Sequence, residues 1–201
     1  MSVLDRASPQ AEPVGGDADP AEARDRELMM RIHSGDDHRA LDELMNRHRL
    51  SLVRYSLRLL GEVEGAEDTV QEAFIRLWER RKEWVPAGSP RSFLYRMVRN
   101  LALQEIEKRG VRKRWIDRNG GGEIDLESPS RVFDTKALRG DVEKAIQSLP
   151  ARRREILVLS RFHRMTYREI ADLLGISPQT VANHMSAAFR DLRTLLSGHR
   201  S

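Results

Sequence analysis

Apolar residues recur along this chain at steps of three and four, the period of a helix face, and nowhere alternate as they do in a half-buried strand. Leu28, Met29 and Ile32 share one face of a first helix that starts near Ala23 and stops at Ser34-Gly35. Asp36 or Asp37 suits the cap of a second helix, whose stripe runs Leu41, Leu44, Met45, His48, Leu52, Tyr55 and Leu59 and ends at Gly61. His48, inside that stripe, reads as a partly buried packing residue. A third segment, Gly65 to Trp84, points Ala66, Val70, Ala73, Phe74 and Leu77 one way. VPAGSP (85–90) breaks it, and Leu94, Met97, Val98 and Leu101 mark a fourth helix.

The pattern then lapses. Residues 119–136 switch to Gly, Ser, Pro and acid, the composition of a linker. Beyond it Val142, Ala145, Ile146 and Leu149 predict a short helix, Pro150 interrupts, and Ile156, Leu157 and Leu159 predict the next. The last stretch, Thr166 to Leu196, reads as two helices joined by a tight turn. Tyr167, Ile170, Ala171 and Leu174 form one stripe. Gly175 suits the left-handed residue that ends a helix, and Ser177-Pro178 an N-cap and first helical position. Val181, Met185, Ala188, Leu192 and Leu195 form the second stripe.

The expected fold is therefore all-α: two small helical domains, 23–115 and 138–197, joined by a flexible linker over 116–137, the C-terminal one a four-helix unit ending in a helix-turn-helix. Residues 1–22, with three prolines and few large apolar residues, predict a disordered tail. The 201-residue composition, 39% hydrophobic and 33% charged, fits small domains with much exposed surface. No Cys is present, which excludes disulfides and thiolate chemistry. No apolar run reaches the ~20 residues of a membrane span, and no signal-peptide pattern opens the chain, so a soluble, cytoplasmic protein without membrane contact of its own is expected.

Charge sharpens the picture at three places. The polar face of the last helix carries Gln179, Ala182, Asn183, Ser186 and Arg190, groups able to read base edges in a major groove, next to a basic flank of Arg152, Arg153, Arg154, Arg161, Arg164 and Arg168. The plain alternative is a helical hairpin with a solvated face. The segment from Arg91 to Arg118 holds nine Lys/Arg against three acids, with Phe93, Tyr95 and Trp115 interleaved, a composition suited to single-stranded nucleic acid; the alternative is that Phe93 and Tyr95 are core residues and the cations solvate a helix. The third helix sets Glu67, Asp68, Gln71, Glu72 and Glu79 outside its apolar stripe, either as a solvated face or as an acidic docking face. The chain has no phosphate loop, no helical His pairing for metal and no nucleophile elbow, so no enzyme, cofactor or small-molecule substrate is expected.

Two motifs point to one family. EDTVQEAFIRLWERR with PRSFLYRMVRNLAL resembles the second region of bacterial RNA polymerase sigma factors, and SLPARRREILVLSRFHRMTYREIADLLGISPQTVANHMSAAFRDLRTLL resembles their fourth. With only a linker between them, the layout is similar to the small extracytoplasmic-function (ECF) sigma factors of the sigma-70 family. The resemblance implies a factor that binds core polymerase through the beta-prime clamp and beta flap and directs promoter recognition, DNA opening and initiation. It implies polymerase docking by Asp68, Gln71, Glu72 and Arg76, and capture of the melted minus-10 element by Arg91, Phe93, Tyr95, Arg96, Arg99 and Asn100. It implies reading of the minus-35 element by Ser177, Gln179, Thr180, Asn183, His184, Ser186 and Arg190, with Arg168 meeting phosphate. Many members carry Trp where this chain has Phe93 and Asp where it has Gln104. An anti-sigma partner is a family expectation. The rival reading is a dimeric helix-turn-helix regulator that acts without polymerase.

Overall fold

The computed structural model describes residues 20–83, 88–118 and 138–197, and among them every regular element is helical. The expected tail up to Asp19 and the expected linker over 119–137 lie outside the described residues. Eight α-helices follow in order: α1 Pro20–Gly35, α2 His38–Leu60, α3 Val63–Glu79, α4 Pro90–Arg118, α5 Leu138–Gln147, α6 Ala151–Arg161, α7 Tyr167–Leu174 and α8 Pro178–Ser197, with one 3-10 turn at Arg81–Glu83. Helix α1 starts at Pro20, three residues before the expected Ala23, because proline at a first helical position loses no hydrogen bond. Helix α4 runs unbroken to Arg118, past the domain boundary drawn at 115.

The boundaries have visible causes. The Asp37 carboxylate accepts from the Ala40 amide at 3.1 Å and caps α2. Gly61, at φ +80°, turns the chain out of α2 and donates to the Leu57 carbonyl at 2.8 Å. Helices α1, α3 and α4 pack around α2 and bury Leu28, Met29, Ile32, Leu44, Leu52, Val70, Phe74, Leu77, Leu94 and Val98. Helices α5, α6 and α7 pack around α8 over Ile156, Leu159, Ile170, Val181, Met185 and Ala188. Val142, expected inside, is exposed.

These two clusters meet. Helix α4 of the first packs against α7 of the second, and the buried core runs continuously from one to the other. At the junction Tyr55 of α2, Tyr95 of α4 and His163 of the α6–α7 turn form a ring trio with centroids 5.1–5.6 Å apart. Beside it lies an open cleft of about 730 Å³ between α2 and α4 on one side and α5 and α6 on the other.

Candidate nucleic-acid and polymerase interfaces

The helix-turn-helix is built by local hydrogen bonds. The Thr166 hydroxyl accepts from the Glu169 amide at 3.2 Å, and the Glu169 carboxylate accepts from the Thr166 amide at 2.8 Å, a reciprocal cap that starts α7. The sequence reading placed the helix start correctly but missed this pair, although Thr-x-x-Glu is its signature. Gly175, at φ +64°, ends α7, and Ile176 donates back to the Ala171 carbonyl at 3.1 Å. The Ser177 hydroxyl then accepts from the Thr180 amide at 3.0 Å and pairs with the Thr180 hydroxyl at 2.8 Å, so both side chains shape the start of α8. Val181, Met185 and Ala188 are buried beneath. Gln179, Asn183, Ser186 and Arg190 stand exposed on the opposite face, with Thr180 and His184 half-buried beside them and Arg168 exposed on α7. Gln179 donates to the Asn183 side-chain oxygen at 3.1 Å, which holds the two amides as one acceptor–donor pair.

Part of the basic flank serves the fold. Arg152 donates to the Leu174 carbonyl and to Glu155, Arg153 bonds Asp191 at 2.6 Å, and Arg154 bonds the main-chain and side-chain oxygens of Gln147. Arg161 lies over the Phe189 ring, 5.1 Å from its centroid. In sequence these arginines form a basic flank; in the fold the heads of Arg152, Arg153 and Arg154 tie α6 to its neighbours.

On α3, burial of Ala66, Val70, Ala73, Phe74 and Leu77 turns Asp68, Gln71 and Arg76 to solvent. Glu72 is half-buried and accepts from Arg76 one turn on at 2.7 Å. Asp68, Glu72 and Arg76 form one wall of a groove of about 300 Å³ whose other wall is Gln104, Glu105, Lys108 and Arg109 of α4. Both walls carry mixed charge, Asp68, Glu72 and Arg76 on one and Glu105, Lys108 and Arg109 on the other, and Ile75 is exposed on α3.

The expected single-strand face of α4 is the one turned to the C-terminal helices. Arg91 donates to the main-chain oxygens of His163 and Arg164, the Ser92 hydroxyl to the Glu169 carbonyl at 3.0 Å, and Arg96 to the Asp172 carbonyl. Arg99 bonds the Glu155 carboxylate at 2.7 Å, which the Tyr55 hydroxyl also approaches at 3.3 Å. Tyr95 is fully buried and its hydroxyl lies 3.0 Å from Nδ1 of His163. Burial holds the His163 ring neutral, down to about 4, helped by the cations of Arg58, Arg91 and Arg54. Burial also raises the Tyr95 phenol. Phe93 is half-buried against the core, and Asn100 is exposed. Sequence reasoning missed the partners on the far side, Glu155, His163, Glu169 and Asp172, because nothing in a periodic pattern says which faces of two separate units will meet. Of the helix-breaking stretch 85–90, residues 85–87 lie outside the described residues, as does the Trp115 side chain.

The described residues hold no group of three or more His, Asp or Glu arranged to bind a metal ion, and no helix long and apolar enough to cross a membrane. The arrangement defines a class: a helical protein with a helix-turn-helix in one unit and a separate acidic and arginine-bearing surface in the other. Residues 44–112 match the family model for sigma-70 region 2, and residues 139–192 that for sigma-70 region 4. The chain is 30% identical over 162 residues to the ECF RNA polymerase sigma factor SigE of Mycolicibacterium smegmatis, a match covering 80% of this chain and 63% of that protein. It is 29% identical over 154 residues to the ECF RNA polymerase sigma factor SigL of Mycobacterium tuberculosis, covering 76% of this chain and 86% of that one. Its fold is shared with CnrH, solved in complex with the cytosolic domain of CnrY, at a TM-score of 0.63 and 24% identity over 87% of this chain and 98% of that one. The sigma factor RpoE of Bartonella quintana, solved with the anti-sigma factor NepR, gives 0.58 at 22% identity, over 78% and 96%. The chain belongs to the sigma-70 family of RNA polymerase sigma factors, within its ECF group.

Proposed function

We propose that this chain binds core RNA polymerase and directs it to promoters, docking through Asp68, Gln71, Glu72 and Arg76 of α3, reading the minus-35 duplex with α8 and capturing the melted minus-10 strand on α4. The observation that carries the reading is the pairing of two exposed surfaces in one chain: the acidic face of α3 and the Gln179–Asn183–Ser186–Arg190 face of α8. A duplex-binding regulator needs only the second. Each contact is modest alone, and tethering makes the second intramolecular, so the affinities multiply. The chain performs no covalent chemistry in this scheme and works in the cytoplasm, where polymerase is. An anti-sigma protein is proposed as its regulator, as NepR is for the Bartonella factor named above.

The test is runoff transcription with sigma-free core polymerase on fragments of the host genome. Start sites that require the protein and vanish with Asp68→Lys plus Glu72→Lys establish the function. Footprinting of a palindromic duplex by the protein alone, with no core-dependent start, replaces it with a dimeric regulator.

A further inference from the structure

The cleft of about 730 Å³ beside the ring trio combines two chemistries. Leu57 of α2, Leu103 of α4, Ile146 of α5 and Val158 of α6 line it, together with Phe162 just past α6, and Leu103 and Phe162 are exposed. Among these stand four arginines, Arg58, Arg99, Arg152 and Arg154, against two acids, Glu143 and Glu155. The Glu155 carboxylate is engaged at both oxygens, by Arg99 at 2.7 Å and by Arg152 at 3.2 Å, and Glu143 accepts from Gln147 at 3.1 Å. Arg154 is held through Nη1 alone, by the main-chain and side-chain oxygens of Gln147 at 3.0 and 2.8 Å. Among the described residues its Nε–Nη2 edge, which pairs a carboxylate side-on, carries no bond. The Arg58 guanidinium lies 4.4 Å over the Phe162 ring, and burial lowers its pKa from the ordinary arginine value. Cations outnumber acids here beside exposed apolar walls, so the cleft lacks both an anion and an apolar body to cover those walls.

We propose that this cleft is a binding site for a small organic carboxylate with an apolar body, its head paired with Arg154 and Arg58 and its body lying along Leu57, Leu103, Val158 and Phe162. The cleft volume falls in the range of small-molecule sites, about 300–1,000 Å³, and its lining has their make-up, apolar walls with a few convergent polar groups. The walls come from both units, α2 and α4 on one side and α5 and α6 on the other. A bound carboxylate therefore gains its full set of contacts only while the units are packed, and by mass action it stabilises that packing. Of the residues assigned above to polymerase or promoter, only Arg99 lines the cleft. The site does not rest on the function proposed above, and it gives the chain a direct chemical input beside any protein regulator.

The probe is decanoate, kept far below the concentration at which it forms micelles. Its control is decyltrimethylammonium, with an alkyl body of the same length and the opposite charge. Calorimetric titration of the full-length chain is expected to show a single saturable site for decanoate, a Tm that rises with decanoate, and no saturable binding of the cation. Leu103→Trp crowds the cleft from an exposed position on α4 and touches no charge. It is expected to weaken decanoate binding about tenfold. Arg154→Glu is expected to abolish decanoate binding and admit decyltrimethylammonium, a gain that damage to the fold does not produce. Leu103→Trp decides the matter if Arg154→Glu fails to fold. Equal binding of the two amphiphiles, or a decanoate affinity that neither variant alters, overturns the site. So does a parent chain that binds no decanoate, and a third variant then identifies the occupant that excludes it. Residues 123–127, Glu-Ile-Asp-Leu-Glu, combine apolar and acidic side chains of the kind the cleft lacks. If replacing them with Gly and Ser uncovers decanoate binding, the cleft belongs to that segment of the chain; if it does not, the cleft belongs to a partner protein.

Discussion

The Tyr95 hydroxyl lies 3.0 Å from Nδ1 of His163, and Nε2 of that ring is buried with no hydrogen-bond partner. A histidine so placed stays neutral, and its surroundings explain why. Tyr55, Arg54 and Arg58 face it from α2, Tyr95 and Arg91 from α4, and the only charges among these are positive. Its pKa is lowered from the ordinary 6.5 to about 4 by burial first and then by those arginines. Separated from α4, the ring returns to its ordinary value. Between about pH 6.5 and 4 the separated form therefore binds more protons than the packed one, and the stabilisation that neutral His163 lends to the packing, fully present above pH 6.5, is lost as pH falls through that window. The full shift corresponds to roughly 3 kcal/mol. The radius of gyration is expected to rise between pH 7 and pH 5, above the range where carboxylates titrate, and His163→Asn should flatten that rise. A pH-independent radius in the unaltered protein would remove His163 from the linkage.

Arg190 and Arg168 are both exposed, but they stand on different helices. Arg190 shares the α8 face with Gln179, Asn183 and Ser186, whereas Arg168 lies in the first turn of α7, off that face. Arg190→Ala is expected to weaken duplex binding by about 1–3 kcal/mol at its cognate sequence and to relax base preference there. Arg168→Ala should weaken binding evenly across sequences and reduce the slope of log affinity against log salt by about one. Titrations of matched and mismatched duplexes at several salt concentrations check both. An equal loss on every sequence for Arg190→Ala would refute its base-reading role.

Periodicity found all eight helices because each buries a stripe on a face that its own sequence defines: Leu44, Leu52 and Tyr55 on α2, or Val181, Met185 and Ala188 on α8. Gly61 and Gly175 were legible for a local reason too, since a left-handed residue at a helix end favours glycine. Exposure of Asp68, Gln71, Asn183 and Arg190 followed from the opposite side of the same stripes. What the pattern could not carry was any relation between units. For Tyr95 an aromatic among cations left both a stacking platform and a core residue open; it is buried, and its partner His163, 68 residues away in the chain, was not legible. Arg152, Arg153 and Arg154 read as a basic flank because charge in a sequence says nothing of the acceptor a folded neighbour provides.

The turn of the helix-turn-helix is held by two devices of separable strength. Thr166→Ala removes the hydroxyl that caps α7 and leaves the Glu169 amide without its partner, a cost of about 1 kcal/mol. Gly175→Ala puts a Cβ on a residue at φ +64°, where nothing lies within 4 Å to clash. The cost is therefore backbone strain alone, about 1–2 kcal/mol. Denaturant midpoints of the two single variants and the double variant measure them. The effects should fall short of additive if both act on the one short helix α7, and a Gly175→Ala variant as stable as the parent would mean that the turn relaxes to another geometry.

Asp25 is the one acidic side chain among the described residues that is buried in the core, and it ties α1 to α2. Its carboxylate accepts from Arg47 Nε at 2.7 Å and from His48 Nε2, also at 2.7 Å; since a carboxylate only accepts, the proton of that second bond sits on the imidazole. Burial by itself raises the acid's pKa, but the bonds and charges of His48 and Arg47 outweigh it, and the net direction is downward from 3.8. The stabilisation is accordingly present at neutral pH and is lost as pH falls through the lowered value. Asp25→Asn keeps the shape, removes the charge and leaves two donors facing an amide that can satisfy only one. A loss of about 2–3 kcal/mol at pH 7 is expected, below the range for a fully buried pair because the Arg47 head is partly solvated. Urea unfolding at pH 7 and near pH 3 distinguishes the charge from the packing. The gap between parent and variant should narrow at the lower pH, and a gap unchanged with pH would assign Asp25 a purely steric role.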